Sequence, residues 1–351
     1  VGQNLIDDRA RCAGCRVAVE VVARIGEAEG AAALPGRPEA VTIDGRGRYW
    51  ILFDREMPMV FDRSGQFLKA VGRKGRGPGE FYNPTSVMTV PGDSALVFEF
   101  GAAASLIGPD LRFVRTIRMP PVAVFAAVPV QWPHNIIIHG ESPAPELAGW
   151  PLHRLDVRSD AAMVARSMGL NQGELLAGKA YRLLHRITRS QSGGLWAVEM
   201  LDYRISEWNA RGDLISVLER RPAWFPGPSK AQLGSGHDKP AEPVIQGIGQ
   251  DEVGRLWVST IVATDEWIKL WGAFPRIAGT AEVSADWGPP YDRLYETRIE
   301  VIDPVARVLI ASAKIPYATV ATLPNNQLVA YSVEASSGIP RILILSVRLA
   351  T

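Results

Sequence analysis

The chain has 351 residues, 47% hydrophobic and 21% charged, and its 38 Lys+Arg nearly balance 37 Asp+Glu. That balance excludes the basic excess of a nucleic-acid binder, and the composition excludes a coiled coil, a collagen and a disordered tail. No stretch approaches the roughly 20 uninterrupted apolar residues of a membrane-spanning helix, and length alone suggests about two domains, a prior that closed all-β folds often violate.

The first residue is Val1 rather than Met, as expected after removal of a signal peptide or from a trimmed chain. The only cysteines are Cys12 and Cys15, in Arg11-Cys12-Ala13-Gly14-Cys15-Arg16. Covalent haem would need His where Arg16 stands. Structural zinc would need a second ligand pair, and a thioredoxin-like site would need a βαβ setting. A short-loop disulfide pinning the N-terminus is the reading that fits, worth about 2 kcal/mol or less by loop entropy, and it favours an oxidising compartment.

After this leader (1–16) a strand is expected over 17–25, and then one unit recurs: a polar turn followed by an apolar strand. Gly47-Arg48-Tyr49-Trp50-Ile51 matches Gly193-Gly194-Leu195-Trp196-Ala197 and Gly254-Arg255-Leu256-Trp257-Val258, with weaker copies at 94–97, 135–138 and 327–330. Aligning Tyr49, Ala95, Ile136, Leu195, Leu256 and Leu328 gives intervals of 46, 41, 59, 61 and 72 residues. A short strand precedes each turn, over 40–44, 85–90, 124–130, 185–190, 246–251 and 318–323, and two more follow, clearest at 59–71 and 205–217. Six repeats of four strands predict an all-β fold, a six-bladed β-propeller spanning 17–351 as one domain. The last repeat supplies only its third strand, at 341–347, so the strand 17–25 is expected to complete it and close the ring.

Gly72-Arg73-Lys74-Gly75-Arg76-Gly77-Pro78-Gly79-Glu80-Phe81 and Asn83-Pro84, following Phe61-Asp62-Arg63-Ser64-Gly65-Gln66-Phe67-Leu68, together with the Cys pair, resemble bacterial six-bladed propellers related to NHL-repeat proteins. The resemblance implies a secreted, periplasmic or cell-envelope propeller and carries no catalytic residues across.

The Gly-rich stretch 72–81 lacks the Gly-Lys-Ser/Thr and following helix of a phosphate loop, so a tight connection between blades is expected there. The long insertions, about 141–151, 169–184, 221–245 and 261–296, all fall on one face of a propeller, where ligand-binding loops are built. Five of the ten Trp residues lie in them: Trp150, Trp224, Trp267, Trp271 and Trp287. They suit stacking on a saccharide or other flat small molecule, or anchoring a protein partner, or else a private core that holds the insertions down. Register places Asn83, His185, Arg186, Gln246 and Tyr317 at the axial mouth. Asn83 and Gln246 would be ligand-binding, and His185, Arg186 and Tyr317 are the acid/base or oxyanion candidates if the mouth is catalytic. An axial calcium would need six to eight oxygens, and Asn83, Gln246 and nearby Glu39 supply too few carboxylates, so no metal is expected. The leading expectation is a binding or assembly propeller outside the cytoplasm. The alternatives are a lyase or lactonase-like hydrolase and a subunit of a larger envelope complex.

Overall fold

A computed structural model describes residues 4–7, 9–100, 103–169, 180–227, 239–273 and 291–350. Six antiparallel four-stranded sheets form blades 1 to 6, each running from the axis outward; the first five are built from four consecutive strands and the sixth from the last three strands and one N-terminal strand. The innermost strands are Ala40–Ile43, Pro84–Val90, Ala123–Gln131, His185–Arg189, Val244–Gln250 and Thr319–Leu323, at the positions expected from the repeat. They contact one another in cyclic order, and the sixth meets the first.

The second strand of each blade shows why its sequence reads as an uninterrupted apolar run. Alternate side chains of a strand point to opposite sheet faces, and here both faces are covered by neighbouring blades. In Tyr49–Leu52, Tyr49 and Ile51 join the apolar cluster shared with blade 6, while Trp50 joins the one shared with blade 2. In Leu195–Glu199, Trp196 and Val198 face blade 5, and Leu195 and Ala197 face blade 3. The six junctions between blades each carry such a cluster, so the core is a ring of interfaces.

The repeated Gly-Arg-x-Trp owes its spacing to a hydrogen-bond knot. Asp44 accepts the backbone N–H groups of Arg46 and Arg48 through Oδ1, and Arg48 Nε (2.7 Å) and Trp50 Nε1 (3.1 Å) through Oδ2. Asp251 does the same for Val253, Arg255 and Trp257, with 2.7 Å to Arg255 Nε and 2.9 Å to Trp257 Nε1. In blade 4 Ser190 and Gly194 replace the Asp and Arg. The Ser190 hydroxyl turns to Glu207, and the buried Trp196 Nε1 has no hydrogen-bond partner.

Ring closure follows the sequence expectation. Strand Arg16–Ile25 pairs antiparallel with Pro340–Ala350 and is the outer strand of blade 6. The leader has a structural role that its sequence did not reveal. Asn4–Leu5 adds a parallel fifth strand to the edge of blade 4, and the buried Ile6 enters the cluster between blades 4 and 5. Asp7, Arg11 and Cys12 then run along the outer strand of blade 5, and the Cys12–Cys15 disulfide follows. The N-terminus thus straps three consecutive blades, covering edges that would otherwise be open to pairing.

Candidate functional site

Apart from the N-terminal strap, every connection of ten or more residues (26–39, 71–83, 142–151, 169–184, 220–243 and 264–294) leaves and rejoins the ring on the face where the innermost strands begin, and no turn on the opposite face exceeds five residues. Blade order therefore roots all the long links on one face.

On that face Arg186, second residue of its strand, donates from Nε to the Gln246 carbonyl (3.1 Å) and from Nη2 to Gln246 Oε1 (3.3 Å). The 6-to-1 link places Arg37 with its guanidinium carbon 4.9 Å from the centre of the Tyr291 ring, and the Tyr291 hydroxyl points to the Thr319 carbonyl at 3.4 Å. Burial pushes the Tyr291 phenol up to about 12, with Arg37 and Arg186 pulling against that rise. Burial also lowers the Arg186 guanidinium, and the Arg37 charge adds to the lowering. Phe125, at a bulge near the start of the blade 3 strand, is 41% exposed and lies 5.6 Å from the His139 ring. Arg37 and Phe125 were not singled out from sequence, because neither lies in a recognisable motif.

Behind this surface lies a layer of neutral imidazoles. His185, 5% exposed, and His139 both donate to the Leu183 carbonyl, at 3.2 and 2.9 Å, with ring centres 5.8 Å apart. Burial drives His139 down to about 3 and His185 to about 4; His153, bonded to Ser167, falls to about 4 for the same reason. Next to His185, Glu199 is held by Arg182 (2.9 Å) and Arg204 (3.6 Å). Register places His185 and Arg186 side by side, yet Arg186 bonds to Gln246 while His185 turns to the Leu183 carbonyl. Asn83 is half-buried, its carbonyl accepting from the Phe100 N–H. Tyr317 packs into the apolar cluster between blades 5 and 6.

The tryptophans of the insertions mostly pack inward. Trp267 is 5% exposed, stacks on Trp271 with centres 5.3 Å apart, and forms a small core with Leu270 and Leu294. Trp224 lies edge-on to Tyr203 under the Arg298 guanidinium, 4.5 Å from its ring centre. Trp150 is half-buried in the blade 3 insertion, and Trp287 lies outside the described residues. Among the described residues, the exposed aromatic side chains on this face are instead Tyr82 (55%), Phe100 (65%) and Phe125.

The Gly-rich loop supplies its own anion. Glu80 accepts the Gly77 N–H (2.8 Å) and Arg73 Nε (2.7 Å), and both contacts, the Gly77 one foremost, hold its carboxyl below the ordinary range. Gly72, at φ +80°, has no room for a Cβ, which would sit 2.4 Å from the Phe81 ring. A separate cleft of about 600 Å³ on blade 6 is lined by Arg24, Glu27, Glu334 and Arg341, whose charges balance. Among the described residues no group of three or more His, Cys, Asp or Glu side chains could hold a metal ion.

No protein-family model matches this chain, and no curated protein matches it. Solved structures do. A member of the DUF4221 family from Bacteroides vulgatus is similar over 96% of this chain and 99% of its own, with 11% identity and a TM-score of 0.62. A candidate exported protein of Bacteroides fragilis covers 99% of each chain at 11% identity and a TM-score of 0.59. A catalytically inactive variant of virginiamycin B lyase from Staphylococcus aureus, solved with quinupristin, covers 94% of this chain and 99% of its own at 12% identity and a TM-score of 0.50. At these identities the likeness is one of fold, that of a six-bladed-type β-propeller.

Proposed function

We propose that this chain is a binding propeller that works outside the cytoplasm and holds a ligand or partner on its loop-bearing face. The observation that carries the reading is the asymmetry of the two faces, since a rigid ring that directs every long link to one side resembles other folds whose recognition loops sit on a fixed frame. The extracytoplasmic setting is supported by the Cys12–Cys15 disulfide, which persists in oxidising compartments, and by the fold it shares with the B. fragilis exported candidate. The relation to NHL-repeat proteins belongs to the same reading and is supported by the Gly72–Phe81 loop. No helix among the described residues is long and apolar enough to cross a membrane.

A thermal-shift screen of saccharides, lactones, peptides and organic acids, with hits mapped by hydrogen exchange, tests the reading. Protection is expected in the links 26–39, 119–122 and 182–186 and at the starts of the innermost strands. Hits that protect only the opposite turns, such as 44–48 and 251–255, would contradict it.

A further inference from the structure

From the axial mouth we infer that the ligand is a small carboxylate carried on an aromatic or apolar body, its carboxylate held by Arg186 and Arg37 and its body against Phe125. The inference rests on the loop-face reading above and deepens it. Arg186 is a largely enclosed cation without a carboxylate partner among the described residues. Its hydrogen bonds go to the neutral Gln246, and the groups that act on its charge are Tyr291 and a second cation, Arg37. Enclosing a guanidinium without a counter-ion is costly, and the partner that Arg186 has here is a neutral amide and its carbonyl. Arg48, Arg182 and Arg220, by contrast, are each matched with a carboxylate: Asp44, Glu199 and Glu300.

The geometry favours a planar anion. The Nε and Nη2 edge of Arg186 is occupied by Gln246, which fixes the plane of the fork and leaves Nη1 for a ligand. Arg37, lying over the Tyr291 ring, is restrained by that contact, so each guanidinium offers a charged donor from a restrained position. Carboxylates of the protein border the site without closing it. The Glu39 carboxyl is raised by partial burial and by Asp54 and lowered by Arg37, and Asp292 accepts the Val333 N–H through Oδ2. Phe125 brings an exposed ring face beside His139, whose imidazole stays neutral and whose low value reflects His185 and Arg186 among its causes. Cation and ring together select a carboxylate with an apolar body over a hydrated inorganic anion.

The test is titration calorimetry with benzoate, acetate, benzamide and inorganic phosphate. Benzoate is expected to bind, benzamide is not, and phosphate is expected to bind more weakly than benzoate. Arg186→Gln and Arg37→Gln should each weaken benzoate about tenfold or more, as loss of a charge-assisted pair does, with Arg186→Lys between Arg186→Gln and the native protein. Phe125→Ala should weaken benzoate while leaving acetate unchanged. Arg186→Gln should melt at or above the native temperature, because it removes an uncompensated cation, and this separates a binding role from a structural one. Equal binding of benzamide, tighter binding of phosphate, benzoate affinity unchanged in both glutamine variants, or no benzoate binding would each overturn the inference. None of these outcomes touches the loop-face reading, which the screen of other chemistries decides independently.

Discussion

Arg220→Ala is expected to cost the ring about 3–5 kcal/mol, the penalty for breaking a buried ion pair and leaving one partner behind. Arg220 and Glu300, 4% and 1% exposed, join the end of blade 4 to the third strand of blade 5, with Nε 3.1 Å from Oε2. Tyr203 donates to Glu300 Oε2 at 2.8 Å, and Arg220 Nη1 donates to the Asp7 carbonyl of the N-terminal strap. Burial, and then the Glu300 charge, push the Tyr203 phenol well above its ordinary value, so it stays a donor. Burial also raises the Glu300 carboxyl against the pull of Arg220, and without Arg220 that rise continues. The pair Arg220→Met with Glu300→Gln keeps an acceptor for Tyr203 and should recover most of the loss. Denaturant melts of both variants and the native protein check this. Equal stability of Arg220→Ala and the native protein would remove the cluster from any account of how blades 4 and 5 are held together.

Acid should destabilise the fold over the window set by the buried imidazoles. His139, His153 and His185 have folded values of about 3, 4 and 4, below the ordinary 6.5. Below 6.5 the unfolded chain takes up protons that the folded chain refuses. Their contribution is therefore complete above 6.5 and is lost as the pH falls toward 4, at up to about 1.4 kcal/mol per pH unit for each ring. Glu199 and Glu300 act in the opposite sense. Burial raises both, so the folded chain binds their protons first and regains stability as the pH falls through their raised values toward 4.5. Glu39 and Asp292, also raised by burial, add to that opposing trend, and the expected net result, set by the three rings that titrate from 6.5 downward, is a falling melting temperature between pH 6.5 and 4.5. His153→Asn should flatten the slope. A melting temperature that is level across this window would show that the rings titrate normally.

The ring was legible in the sequence because each blade repeats one spacing and buries both faces of its second strand. Tyr49-Trp50-Ile51-Leu52 and Leu256-Trp257-Val258 read as apolar runs for that reason, and the Asp six residues before each Trp is the knot that holds the turn. Strand Arg16–Ile25 was legible because the last repeat lacked its partner. The pairing of Asn4–Leu5 was not: two residues carry no alternation, and parallel pairing leaves no turn signal. Strand register grouped Arg186 with Gln246, and the two are hydrogen-bonded, because period 2 determines which side chains share a surface. It could not place Arg37 or Tyr291, whose positions on irregular links depend on contacts made across the ring. Nor could composition distinguish Trp267, which packs inward, from Phe100 and Tyr82, which face solvent.

The central claim is that recognition belongs to one face of the ring, and a blocking experiment tests it directly. The two native cysteines are joined to each other, so a third can be labelled selectively. Phe100→Cys, on the loop-bearing face, and Val253→Cys, on the opposite turn of blade 5, replace side chains that are 65% and 73% exposed. Each is coupled to a bulky polyethylene-glycol maleimide and titrated with the ligands found in the screen. The account predicts that the label at Phe100 blocks binding and the label at Val253 leaves it intact. Binding blocked from Val253 and unaffected from Phe100 would contradict it.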